Sequence, residues 1–138
     1  MGARALVLFA HGARAASWAV PFERLRDLTA AQVAHMPAAP PVSVSLAFLE
    51  LMEPRLPAEV TRLAAGGVDD ITVVPVFLGQ GGHLLRDLPL LVAQLRVDHP
   101  GIAIKVVGAI GEDPAVQAAM TAYCVASLGS LTSRSAPT

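Results

Sequence analysis

The sequence predicts an α/β domain, a four-stranded parallel sheet of order 2-1-3-4 with helices on both faces. Three observations predict it. Four short apolar runs alternate with four longer segments of helical periodicity, the pattern of strand–helix–strand crossovers. The first and third runs are apolar on both faces and belong in the middle of the sheet. The second alternates and the fourth carries Lys105, so both suit edges. Right-handed crossovers then leave 2-1-3-4 as the simplest order.

The elements follow in turn. The first strand is Ala5 to Ala10. A helix runs from about Ser17 to Met36, with Trp18, Phe22, Leu25, Thr29, Val33 and Met36 spaced for one face and Pro21 tolerable in the first turn. The Pro37-Ala38-Ala39-Pro40-Pro41 loop ends it. Strand two is Val42 to Phe48. Helix two starts at Pro54 or Pro57 and runs to Ala65, burying Leu56, Val60 and Leu63, and Gly66-Gly67 closes it. Strand three, Ile71 to Phe77, enters the glycine-rich turn Gly79-Gln80-Gly81-Gly82, followed by His83. Asp87 and Pro89 signal a third helix from Leu88 to about Val97, ended by Pro100-Gly101. Strand four is Ile102 to Val107. Asp113 as cap and Pro114 at the first position open a fourth helix to about Leu128. Residues 129–138 are rich in Ser, Thr, Gly and Pro and read as a disordered tail, which leaves 1–128 as a single domain without internal repeats.

Composition removes several function classes. Of 138 residues, 54% are hydrophobic and 15% charged, which excludes disorder beyond the ends. A net charge of -1 and few aromatics argue against a nucleic-acid partner. One cysteine, Cys124, rules out an intrachain disulfide, fits a reducing cytosol and reads as a small core residue. The apolar run after Arg4 is too short for a signal peptide, and no window approaches the ~20 apolar residues of a membrane span. The sequence thus reads as a cytoplasmic protein with no membrane partner.

In a 2-1-3-4 sheet the chain direction reverses between strands one and three, and ligands of open α/β sheets bind in the crevice at those C-terminal ends. His11 follows strand one directly and His83 follows strand three by a short loop, so topology brings both to one crevice. Two imidazoles there read as ligands of a divalent ion such as Co, Ni, Fe or Zn, with coordination positions left open for exchange. Either histidine alone reads equally well as a strand-end or turn residue. Arg14 and Arg86 lie three residues beyond each histidine, where a guanidinium favours a carboxylate-bearing substrate; taken singly they read as solvated surface. Glu50, at the end of strand two, is positioned as a third ligand or a base. His35 and His99 fall at helix ends, and Glu53, Glu59, Asp69 and Asp70 read as exposed charge. The dinucleotide, P-loop, HExxH and GxSxG motifs are absent; a phosphate-binding turn at Gly79 to Gly82 stays open as an alternative.

His11-Gly12-Ala13-Arg14, Phe48-Leu49-Glu50 with Pro54, and Pro75-Val76-Phe77-Leu78 leading through Gly82-His83 to Asp87 and Pro89 resemble the short sirohydrochlorin chelatases of the class II chelatase superfamily. The resemblance runs from about Ala5 into the fourth helix. It implies a flavodoxin-like three-layer half-unit that pairs as a homodimer, larger relatives holding both lobes in one chain. It further implies insertion of Co2+, Fe2+ or Ni2+, as substrate and with no organic cofactor, into sirohydrochlorin or a related tetrapyrrole. His11 and His83 would be metal-binding and catalytic, with Glu50 as acidic helper. Arg14, Arg86 and the backbone of Gly79, Gln80, Gly81 and Gly82 would hold substrate. Ala10 and Ala13 stand where a glycine and a serine are common in this motif, and the tail lacks a histidine cluster. A non-catalytic carrier of metal or tetrapyrrole, and a phosphate- or nucleotide-binding module, are the competing expectations.

Overall fold

Strands β1 (Ala3–Ala10), β2 (Val42–Phe48), β3 (Val68–Pro75) and β4 (Ala103–Val106) pair in parallel in the order β2-β1-β3-β4. The computed structural model describes residues 2–37, 41–79 and 81–129, with the His83 side chain excluded. Gln80, part of the proline loop (38–40) and the predicted disordered tail from 130 onward lie outside the described residues. Leu8 stands opposite both Leu46 and Val74, and Val73 opposite both Val7 and Val106, so each face carries a continuous apolar ridge. The predicted order and both edge strands are borne out, and β2 has the predicted limits.

The helices are α1 (Val20–Ala34), α2 (Leu56–Ala65), α3 (Gly82–Asp98) and α4 (Pro114–Ala126), with 3-10 turns at Ala16–Ala19 and Ile110–Glu112. Helices α2 and α3 close one face of the sheet. Their Leu56, Val60, Leu88 and Val92 pack with Val7, Phe9, Ile71 and Val73 in the larger core. Each such side chain, removed from water, contributes ~1.5–3 kcal/mol. Among the described residues the opposite face is covered by α1, where Phe22 and Leu25 rest on Leu8, Ala10, Leu46 and Phe48.

Several boundaries differ from those predicted. Helix α3 begins at Gly82 rather than Leu88, so Asp87 is not its cap and Pro89 lies inside it. Leu84 and Leu88, one turn apart, both bury in the core, and that gain carries the helix back past the proline. Pro89 is exposed, so water can satisfy the Leu85 carbonyl that its missing N–H leaves free. Trp18 lies in a 3-10 turn ahead of α1, and Met36 lies beyond its end and is exposed. Asp113 caps α4 as predicted, its Oδ2 accepting from the amides of Ala115 at 3.0 Å and Val116 at 3.2 Å. Cys124, expected in the core, is exposed.

Glu59, expected at the surface, is 3% exposed, held by α2 against β2. Arg62, one turn on, donates to its two oxygens, at 2.9 Å from Nε. Burial alone would push the Glu59 carboxyl up, but the Arg62 hydrogen bonds and charge outweigh it and hold the carboxyl below the usual range. The Ser45 hydroxyl, buried without a well-aligned partner, adds to that effect. A lowered folded-state pKa stabilises above the unfolded value, and the benefit is lost as pH falls through the folded value. Glu59→Ala is therefore expected to cost about 1–3 kcal/mol at neutral pH. The gap to the parent protein should shrink below about pH 4, where carboxylates protonate. Urea unfolding at pH 7 and pH 3 checks this, and a pH-independent gap would refute it.

Candidate metal and substrate site

The C-terminal ends of β1, β2 and β3 form one rim. β1 ends at Ala10, whose carbonyl accepts from Leu49 N–H at 2.8 Å, and the Val76 amide donates to Phe9 O at 2.7 Å. These bonds carry the strand pairing past the sheet edge and hold the segments bearing His11, Glu50 and Phe77 side by side. Gly12 makes that approach feasible. A Cβ there would lie 1.9 Å from the Glu50 carbonyl oxygen, so only glycine fits. The facing loop turns through Leu51 at φ +68°, a left-handed conformation costing a leucine about 1–2 kcal/mol, pinned by a Met52 N–H bond to Glu50 O at 2.8 Å.

His11 Nδ1 lies 2.9 Å from Glu50 Oε1, and the Gly12 amide donates to Oε2 at 3.4 Å. With Nδ1–H as donor, the Nε2 lone pair is free. The ring rests against Phe77, centroids 4.8 Å apart and planes at 55°, and the Trp18 indole N–H donates to the His11 carbonyl at 2.7 Å. One aromatic wall therefore fixes the ring while another fixes its backbone. The His11 side chain remains 50% exposed, open to a ligand. Beside it Trp18, Phe22, Val76, Phe77, Leu78 and Gly79 complete an open, largely apolar pocket of about 340 Å³.

His83 is the second residue of α3, not a loop residue as expected, and its backbone follows the C-terminal end of β3, the neighbour of β1. Its ring lies outside the described side chains. The α3 N-terminus is capped by Gly81 without a side-chain hydrogen bond and has no acidic residue in its first turn, so its amides and dipole remain available to an anion. Arg14 and Arg86 are exposed, and among the described residues neither forms an ion pair. No cluster of three metal-ligating side chains exists among the described residues.

Sequence reading missed three rim residues. Trp18 was assigned to a helix face, although its indole N–H serves the His11 loop. Arg55 stands where α2 would gain from Ser, Thr, Asp or Asn; it makes no side-chain cap and faces an apolar pocket with Phe9, Leu49 and Leu91. A cation at a helix N-terminus opposes the dipole, and that violated rule was the available signal. Glu112 approaches Gly79 from the 3-10 turn after β4, its Oε1 3.6 Å from where a Gly79 Cβ would lie; no local pattern reveals it.

The CbiX family model matches residues 5–124. Sirohydrochlorin cobaltochelatase of Methanopyrus kandleri is 39% identical over 89 residues, 64% of this chain and 57% of that protein. The enzyme of the same name from Methanocaldococcus jannaschii is 35% identical over 96 residues, 69% of this chain and 62% of that protein. The chain thus spans about three fifths of the length of these relatives. Among solved structures, the CbiX protein of Marinobacter aquaeolei, assigned to cobalamin (vitamin B12) biosynthesis, superposes with TM-score 0.76 at 33% identity, over 91% of this chain and 97% of that one. The sirohydrochlorin chelatase SirB of Bacillus subtilis subspecies spizizenii, in complex with cobalt, gives TM-score 0.72 at 26% identity, over 88% of this chain but only 50% of its own. A family match across most of the chain joins the 2-1-3-4 sheet and the histidine at its rim in one conclusion: this chain belongs to the CbiX family.

Proposed function

We propose that the protein inserts a divalent metal ion into sirohydrochlorin or a related tetrapyrrole in the cytoplasm, with Co2+ as the first candidate and Fe2+ and Ni2+ as the others. The observation that carries this reading is the His11–Glu50 pair: a carboxylate on Nδ1 holds the ring and leaves Nε2 as the ligand atom, the arrangement by which proteins prepare histidine for a metal. Kinship with proteins named sirohydrochlorin cobaltochelatase supports the substrate and the choice of cobalt.

In this reading His11 and His83 supply two imidazole nitrogens to a hydrated ion. Two ligands hold it weakly enough to release it, unlike a closed four-ligand cage. Insertion forms the metal–nitrogen bonds of the macrocycle and expels two pyrrole protons. His11 Nε2, vacated as the ion moves on, takes one of them, and the Glu50 carboxylate stabilises the imidazolium. His83 takes the other. The pocket beside Trp18 and Phe77 receives the macrocycle edge. Arg14, Arg86 and Arg55, with the amides of Gly79, Gly81 and Gly82 and the neighbouring Gln80, receive its carboxylates. A second copy of the chain supplies the other lobe, consistent with this chain covering half of SirB.

Mixing the protein with sirohydrochlorin and each of the three metals, and following the macrocycle absorption spectrum, tests this. Catalytic spectral change with at least one metal is expected; stoichiometric change only would leave a carrier. Glu50→Gln keeps the shape but loses the charge, and should lower the apparent affinity for the metal by about 10–100-fold.

A further inference from the structure

The rim has a second pocket, on the other side of the sheet from the one beside His11, and a lone cation stands in it. Leu49, Leu56 and Leu91 line it and belong to the α2–α3 core, whereas Phe22 and Val76 of the first pocket lie on the α1 side. Its volume is about 390 Å³, a size that takes a small ligand. Phe9 and Leu56, both almost fully buried, make an apolar floor, and Pro57 closes one wall.

Arg55 is the one charged side chain among the described residues that line it. No carboxylate among the described residues pairs with its guanidinium; Glu53, two positions back, instead accepts from the Arg55 amide at 3.3 Å. A contact from Nη1 to Leu49 O, at 3.5 Å, is long for a hydrogen bond and leaves the other N–H groups to a ligand. The backbone holds Arg55 in place. Phe48 N–H donates to Pro54 O at 2.8 Å, Phe48 pairs with Arg55 in a single bridge, and Glu59 N–H donates to Arg55 O at 3.0 Å. A cation at this position opposes the α2 dipole and forgoes a side-chain cap, so stability does not account for it. Positions that break a local folding rule are where function is expected.

We propose that this pocket binds an aliphatic carboxylate, its head on Arg55 and its short stem on Phe9, Leu49 and Leu91. The lining selects that class. A guanidinium takes a planar carboxylate through two parallel N–H bonds. The apolar walls offer no partner to a polar stem, whose burial would go uncompensated. Two sources carry such a group: an arm of the macrocycle, or a free small acid. The first rests on the metal-insertion reading and deepens it; the binding itself does not depend on that reading. An occupant also lies close to the His11 machinery. Leu49 precedes Glu50, and Phe9 meets Phe77 edge-on at 6.1 Å, while Phe77 lies 4.8 Å from the His11 ring.

Methyl NMR on the protein without metal or macrocycle, titrated with butanoate and with butanamide, tests it. The Leu56 and Leu91 methyls should shift saturably with butanoate, in the millimolar range expected of so small a ligand, and butanamide should bind about 10-fold or more weaker. Arg55→Gln should weaken butanoate by about 10-fold or more and bring it level with the amide. The same variant should melt no lower than the parent protein, since it removes a cation from the α2 N-terminus. A merely structural arginine would produce no such opposite pair of changes. Absence of a saturable shift, equal binding of acid and amide, or undiminished butanoate binding by Arg55→Gln overturns the proposal. Sirohydrochlorin titrations without metal then separate the sources. Competition by butanoate that Arg55→Gln removes assigns the pocket to a macrocycle arm; undisturbed sirohydrochlorin binding assigns it to a free acid. A lack of insertion activity would leave the butanoate titrations unchanged, and a failed titration would leave the His11–Glu50 reading standing.

Discussion

His83→Ala is expected to abolish metal insertion, by more than about 1,000-fold, while leaving the fold within about 0.5 kcal/mol of the parent protein. The fold should survive because Leu84, Leu88, Val92 and Leu95 attach α3 to the sheet, and alanine favours a helix. Activity should fail because a lone His11 leaves the ion one protein nitrogen. If both histidines act as a unit, the double variant His11→Ala/His83→Ala should be hardly worse than either single one, since groups acting together are not additive. Initial rates from the macrocycle spectrum, with circular dichroism melts, check both statements. Near-normal turnover of His83→Ala would remove it from the site.

Gly12→Ala is expected to cause the largest loss of stability among the site variants, about 2–3 kcal/mol, together with roughly 100-fold or more in rate. The new methyl must displace either the Glu50 carbonyl, 1.9 Å away, or the His11 segment itself. The carbonyl has little freedom to retreat, for it accepts the Met52 amide in a turn that already holds Leu51 at φ +68°. Movement of the His11 segment would instead break the 2.9 Å contact between His11 and Glu50. Chemical denaturation and initial rates measure the two losses. Gly101→Ala, where nothing lies within 4 Å of the added methyl, should show neither.

What the sequence revealed is what local chemistry decides. The Val42–Phe48 alternation has a period of its own, and Asp113-Pro114 is a start signal read within three residues; both appear as expected. The strand order followed from which runs could be buried on both faces. Elements that depend on distant partners were not legible. Pro89 suggested a helix start because burial of Leu84 leaves no local mark. Glu59 looked like solvated charge because it lies on a helix and its neighbour Ser45 comes from strand β2, distant in sequence. Glu50 was open as ligand or base; its 2.9 Å contact with His11 Nδ1, made across two strand ends, supports the ring-orienting role proposed for it and has no local mark in the sequence. Cys124 sat in an apolar helix that pattern alone assigns to a core, yet it is exposed.

The indole of Trp18 has one more use. It is the chain's sole tryptophan, and its N–H is bonded to the backbone of the residue whose ring would meet the incoming ion. If His11 binds the ion as proposed, paramagnetic Co2+ arriving there would quench its emission, and the indole would serve as an intrinsic fluorescent gauge of occupancy. Loading kinetics become readable in unlabelled protein, before any macrocycle is added.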